Sequence, residues 1–389
     1  MQLTQTEVDA LAAAAREQGR LGLDTEFMPE GRYRPLLCLV QIVVGEHVEV
    51  LDPLTSTFDP SPLAEVLSDP DIEIVLHAGR QDVAILRREW KATFENVFDT
   101  QVAAGFAGFS AQAGYNGLLH DVLRIRLPKT ASFTRWDARP LTDEQVRYAR
   151  GDVEHLLPLA DEIQRRLVER GRLEWAREEC VAIAEATDER DPEEVWRRLP
   201  RVSGLDPKER AVAQALTAWR ERTAAHEDRP VGAILRDPTV VELAKRQPTG
   251  RRDLAQIRGI TPDVVRRRGE DVVAAIERGR QAEPIRLEEG DRSPTEAVDG
   301  PTIALAESLV RSRAQEAGLA YELIAARADL SPVVVAARRN QAEPDVRTLQ
   351  GWRRELVGAE LLELLAGKRT LGVGPGGRVQ ILEGGANEG

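Results

Sequence analysis

Apolar positions recur at helical spacing over residues 4–19, then give way to short runs in which almost every residue is apolar. The first pattern predicts an amphipathic helix, and the second predicts strands at 21–27, 36–44 and 47–51. A short helix near 61–68, a strand at 72–76, a helix at 79–90 and a fifth short strand at Asn96-Val97-Phe98-Asp99 follow. Three successive strands and then alternating helix and strand predict a mixed sheet flanked by helices. Further on, Thr142 with Gln145 three residues later forms a capping box ahead of an apolar helical stripe running from Val146 to Leu167. Pro158 falls inside that stripe and has no backbone donor, so a kink is expected in the turn before it.

Past residue 175 the pattern loosens. A charged, proline-containing stretch around Asp188-Glu189-Arg190-Asp191-Pro192 marks 176–203 as a connecting segment after a first domain over 1–175. Residues 204–282 read as all-helical, 283–301 as an acidic Pro/Gly linker, and 302–371 as a second helical block. The glycine-rich remainder, 372–389, is expected to be a flexible tail. Its Gly372-Val373-Gly374-Pro375-Gly376-Gly377 run follows no clear strand in the sequence and opens no helix, so it is not a dinucleotide loop.

Composition narrows the class. A chain of 389 residues is too long for one ordinary core, and two or three domains are expected. The two cysteines, Cys38 and Cys180, offer neither a disulfide framework nor zinc spacing. Residues 1–20 lack a basic start followed by an apolar run, and no apolar stretch is long enough to span a bilayer. A cytoplasmic protein without a membrane partner is the expectation. The net charge of −12 argues mildly against a nucleic-acid partner, but a basic footprint is local. Between Lys245 and Arg268, eight Lys/Arg stand against two acids.

The chemistry lies in three short stretches. Leu23-Asp24-Thr25-Glu26 places two acids at i and i+2 of a strand, hence on one face. His77-Ala78-Gly79-Arg80-Gln81-Asp82 puts a lone acid just after the strand at 72–76. Tyr148 and Asp152 are i and i+4 on a helix, stacked on one side of it. Acids buried together repel, so a cation or a hydrogen-bond network has to compensate them. Carboxylate ligands suit Mg²⁺ or Mn²⁺, whereas His or Cys ligands suit Zn²⁺.

The order D-x-E, a lone Asp after a strand, then Y-x-x-x-D resembles the ribonuclease D branch of the DEDD exonucleases, with the tyrosine marking the DEDDy subgroup. The stretch from Leu205 to Ile260 similarly resembles the helical HRDC domain, and the block after residue 302 looks like a second, more divergent copy. The resemblance implies an α/β ribonuclease-H-like exonuclease domain followed by two all-α HRDC-like domains. It implies a metal-dependent 3′→5′ exoribonuclease that acts on RNA with a free 3′ end, such as tRNA precursors, and releases nucleoside 5′-monophosphates. It also implies the roles at the site. Asp24, Glu26, Asp82 and Asp152 hold two divalent ions, with Asp24 common to both, and Tyr148 orients the attacking water. A phenol of ordinary pKa near ~10 is a poor general base, so positioning is its part.

His77 and Trp136 are read as structural supports, and His155 stays outside the catalytic set. Lys129 is a candidate phosphate contact, as are Lys245, Arg246, Arg251, Arg252, Arg258, Arg266 and Arg267 in the HRDC-like bundle. A monomer is expected. Two alternatives stand beside this reading: a DNA 3′→5′ exonuclease, which would use the same acids, and a non-catalytic nucleic-acid-binding scaffold. A scaffold has no use for mutually repelling acids. Choosing between RNA and DNA requires a 2′-OH contact that motifs do not show.

Overall fold

The computed structural model describes residues 3–127, 135–286 and 296–383. Its first part is built on a five-stranded sheet of β1 (Arg20–Met28), β2 (Leu36–Val44), β3 (His47–Leu51), β4 (Glu73–Leu76) and β5 (Val97–Asp99), in the order β3-β2-β1-β4-β5. β1 pairs antiparallel with β2 and parallel with β4, so the mixed sheet expected from the sequence is present with the acid-bearing strand at its centre. Helices α1 (Gln5–Gln18), α2 (Ser61–Leu67) and α3 (Arg80–Trp90) share an apolar core with Leu21 and Leu23 of β1 on one face of the sheet. The other face takes α4 (Thr100–Phe106), a short α5 (Tyr115–Leu118), α6 (Asp143–Glu154) and α7 (Leu156–Glu169).

The stripe from Val146 to Leu167 forms two helices rather than one kinked helix. The chain breaks at His155 (φ −110°, ψ 11°), and Pro158 sits in the first turn of α7, where its missing N–H costs nothing. A second boundary also moves. Helix α8 (Leu173–Ala184) runs straight across residue 175, and its buried Ala176, Cys180 and Ala184 belong to the cores of the first domain. Small residues at i, i+4 and i+8 form a helical face that a search for charge and proline passes over. The C-terminal carbonyls of α8 accept bonds from α3: Arg80 donates to Ala182 O (3.3 Å) and Arg87 to Ala184 O (2.9 Å).

The HRDC-like bundle has its own core. It comprises α9 (Pro207–His226), α10 (Val231–Ile234), α11 (Asp237–Arg246), α12 (Arg251–Leu254) and α13 (Pro262–Gln281), with Trp196 of the connecting segment buried among them. It touches the β1–β2 loop, where Arg32 pairs with Asp228 (2.8 Å) and the Tyr33 hydroxyl donates to the fully buried Glu221 (3.0 Å). The last helical block starts with α14 (Asp299–Ala317), so Gly300-Pro301 forms a first helical turn and not the end of a linker.

This last block does not stand apart. Its buried residues merge with those of α4 and α7 into one core. Trp352 stacks on Trp175 (centroids 5.3 Å), meets Phe106 edge-on (5.0 Å) and donates to Glu179 (2.9 Å), while Arg353 pairs with the same carboxylate. Trp352→Ala is expected to cost ~3–5 kcal/mol through the cavity it leaves. Denaturant unfolding should show that loss, and an unchanged midpoint would remove this contact from the stability of the fold. The tail expected from Gly372 is likewise structured up to Glu383. Strands β6 (Arg369–Val373) and β7 (Val379–Glu383) pair as a hairpin, with Leu371 and Ile381 packed on the shared core. The glycines that suggested flexibility supply its turn, where Gly376 and Gly377 have φ +75° and +74°.

Candidate active site

Alternation along β1 sends Leu21, Leu23 and Thr25 to one face and Gly22, Asp24 and Glu26 to the other. Gly22 makes the approach of α7 possible. A Cβ there would lie 2.6 Å from Val43 and 3.2 Å from Leu156, so a side chain would push the helix away. With α7 close, the preceding α6 lies over the strand and delivers Asp152. Carboxylate oxygens of Asp24, Glu26 and Asp152 all lie within 4.8 Å of one another.

The start of α6 is fixed as the sequence predicts. The Thr142 hydroxyl accepts from the Gln145 N–H (3.2 Å), and the Gln145 side chain accepts from the Thr142 N–H (2.9 Å). Upstream, Arg139 grips Asp52 with two bonds of 2.7 and 2.6 Å and also donates to the carbonyls of Trp136 and Cys38. That staple holds 136–141 against β2 and β3. Trp136 is buried there and packs on Tyr148 (centroids 5.9 Å), the supporting role expected of it. The Tyr148 hydroxyl hydrogen-bonds Asp152.

Asp82 lies in the first turn of α3, buried, and accepts a bond from the Thr25 hydroxyl. Its charge reaches Asp24 and Glu26, but its carboxylate is outside the 4.8 Å set. The turn carrying it is pinned by Asp99, whose carboxylate accepts from the N–H groups of Ala78 (3.2 Å) and Gly79 (2.8 Å) and caps α4 through Gln101 and Val102. Sequence reading missed Asp99 and Thr25. The available signal was Phe98-Asp99-Thr100, an acid at a strand end where a helix begins.

Burial dominates the electrostatics. It raises the Asp24 carboxyl well above the ordinary range, and Asp82, Asp152 and Glu26 add repulsion. Burial and then the Asp152 and Asp82 charges push Glu26 up to about 8. Asp152 rises to about 7 and Asp82 to about 6, each mainly through burial. The Tyr148 phenol is also raised, first by burial and then by Asp152, Glu26 and Asp24, so it remains a donor at neutral pH. Converging oxygen donors that resist ionisation on their own are the environment of a hard divalent cation. The residues present fit such an ion.

The proposed nucleic-acid residues fare differently. Arg266 and Arg267 share Asp263 (2.6 and 2.9 Å), Arg246 pairs with Glu242 (2.5 Å) and Arg251 with Glu270 (2.9 Å). Lys245, Arg252 and Arg258 are exposed and carry no ion pair among the described residues. Lys129 lies outside the described residues.

A 3′–5′ exonuclease family model matches residues 1–168 and an HRDC domain model matches residues 209–276. A ribonuclease D from Acidiphilium cryptum is 35% identical over 364 residues, covering 93% of this chain and 91% of its own. The chain belongs to the ribonuclease D family. A second ribonuclease D, from Gluconacetobacter diazotrophicus, is 34% identical over 374 residues, with 95% and 93% covered. The crystal structure of Escherichia coli RNase D, an exoribonuclease involved in structured RNA processing, matches with a TM-score of 0.84 at 28% identity, covering 94% of this chain and 98% of that one. This ribonuclease D-family chain is a 3′→5′ exoribonuclease. No described helix is long and apolar enough to cross a membrane.

Proposed function

We propose that the chain trims the 3′ ends of structured RNA such as tRNA precursors, one nucleoside 5′-monophosphate at a time, using two divalent ions, Mg²⁺ or Mn²⁺. The observation that carries this is the meeting of Asp24, Glu26 and Asp152 within 4.8 Å, with Asp82 and Tyr148 beside them. In this reading Asp24, Glu26 and Asp152 would hold one ion, and Asp24 with Asp82 would hold the other. The chemistry such ions supply is Lewis-acid stabilisation of the phosphoryl oxygens and a more acidic attacking water. Water attacks the last phosphorus, the P–O3′ bond breaks, and the shortened chain keeps its 3′-hydroxyl.

The protonated Tyr148 hydroxyl orients that water. Tyr148→Phe is expected to lower kcat at least ~tenfold, the worth of one lost hydrogen bond or more. Stabilisation by Mg²⁺ should persist in that variant. Wild-type turnover in it would end the assignment.

The HRDC domain over 204–282 and the block over 302–371, a second HRDC-like domain, would hold the RNA body. Deleting both would open the core shared with α7, so the surface is better tested by charge reversal in the full chain. Lys245→Glu, Arg252→Glu and Arg258→Glu together are expected to weaken RNA binding and flatten its salt dependence by about three counterions. Cleavage of short oligomers should be retained. An unchanged salt slope would place the RNA elsewhere. The substrate itself is tested with a tRNA precursor bearing a 3′ trailer. Stepwise removal of the trailer is the expected result, and indifference to the trailer would remove that substrate class.

A further inference from the structure

The carboxylates of β1 lie between two aromatic pairs, and only one of them has been given a task. Trp136 and Tyr148 pack over Cys38, Leu39 and Val50, on the β2–β3 side of β1. On the opposite, β4 side is a second pair, His77 and Tyr115, with ring centroids 5.5 Å apart and planes tilted by 53°. The sheet register places it. Gly22 pairs with Val75 at the end of the β1–β4 ladder, and His77 follows one residue past the end of β4, at the edge of the ladder toward Asp24. Tyr115, on α5, packs against the same core as Val75 and Leu156.

Both rings are half-buried, and each is held. His77 Nδ1 is 2.9 Å from the Thr100 hydroxyl, which donates in turn to the Leu76 carbonyl. The Tyr115 oxygen is buried against the His155 backbone, and its phenol is pushed up by burial and then by the charges of Asp152 and Asp24. The hydroxyl therefore points inward, on the side of Asp152 and Asp24, and what Tyr115 leaves to solvent is carbon surface. Such a surface stacks on a base and accepts any of the four, because every base has a π-face. The phosphate under attack carries the last nucleotide's own sugar, so its base lies within one nucleoside of the acids.

We propose that His77 and Tyr115 form the platform on which the base of the 3′-terminal nucleotide stacks. This rests on the active-site reading above and adds a terminal-base contact without sequence preference. Tyr115 is the residue to test, because His77 is tied into the β4–β5 backbone through Thr100. Tyr115→Leu keeps apolar bulk and removes the π-face, and Tyr115→Phe keeps the π-face.

The experiment uses the full chain with Mg²⁺ and two RNA oligomers that differ only in whether the terminal nucleotide carries a base or is abasic. Wild type should show a KM about tenfold higher on the abasic end. Tyr115→Leu should raise KM about tenfold on the normal end and add nothing on the abasic end, and Tyr115→Phe should match wild type. A Tyr115→Leu effect of equal size on both oligomers would overturn the platform and leave Tyr115 as packing. Wild-type indifference to the terminal base would overturn it too. Failure of the wild type to release mononucleotides from either oligomer would instead refute the active-site reading.

Discussion

Asp24→Asn is expected to cut RNA hydrolysis by at least ~10³-fold, since losing the carboxylate proposed to serve the divalent cations forfeits several kcal/mol of charge stabilisation. The same substitution should make the metal-free protein more stable. Asp24 is half-buried beside Glu26, Asp82 and Asp152, and like charges in close pairs repel by ~4 kcal/mol each even at an effective dielectric near 20. Relief of part of that repulsion should raise the metal-free Tm by roughly 2–4 °C for each kcal/mol recovered. Calorimetry in EDTA paired with single-turnover cleavage in Mg²⁺ reads both. Lower activity with lower stability would mean that Asp24 supports the fold and does not serve a cation.

The second large effect is on pH. Burial raises Glu26 to about 8, Asp152 to about 7 and Asp82 to about 6, all above their unfolded values. The metal-free folded state therefore holds more protons than the unfolded one between roughly pH 4 and pH 8. The stability these groups contribute is fully present below about pH 4 and is lost as pH rises through 6 to 8. A divalent cation competes for the same oxygens. The difference in Tm between saturating Mg²⁺ and EDTA should thus widen from about pH 6 to about pH 8.5, reaching roughly 5–10 °C where the ion is about 100-fold above its Kd. A difference that stays flat across that range would separate cation binding from the carboxylates.

Much of this arrangement was legible in the sequence because it is local. D-x-E on an apolar strand, a capping box before Tyr148, and i, i+4 spacing to Asp152 each fix a face without tertiary information. What escaped depends on contacts between distant segments. Asp99 looks ordinary until its carboxylate is seen holding the Ala78–Gly79 turn that carries Asp82. The Ala176/Cys180/Ala184 face of α8 reads as linker because its partners are α3 and β5, about 80–100 residues earlier. The terminal hairpin was hidden by its own turn glycines, with Leu371 and Ile381 too few to stand out. The basic run carries partners that its spacing does not show, since most of its arginines pair with acids one helical turn away or on a neighbouring element, Arg266 and Arg267 sharing one.

The most direct test of the central claim follows a 5′-labelled oligoribonucleotide through a time course, once with Mg²⁺ and once with EDTA. The carboxylate cluster predicts a ladder that shortens one nucleotide at a time from the 3′ end, with nucleoside 5′-monophosphate released, and complete arrest in EDTA. Shortening that continues at full rate without divalent cation, or internal cuts in place of a ladder, would contradict it.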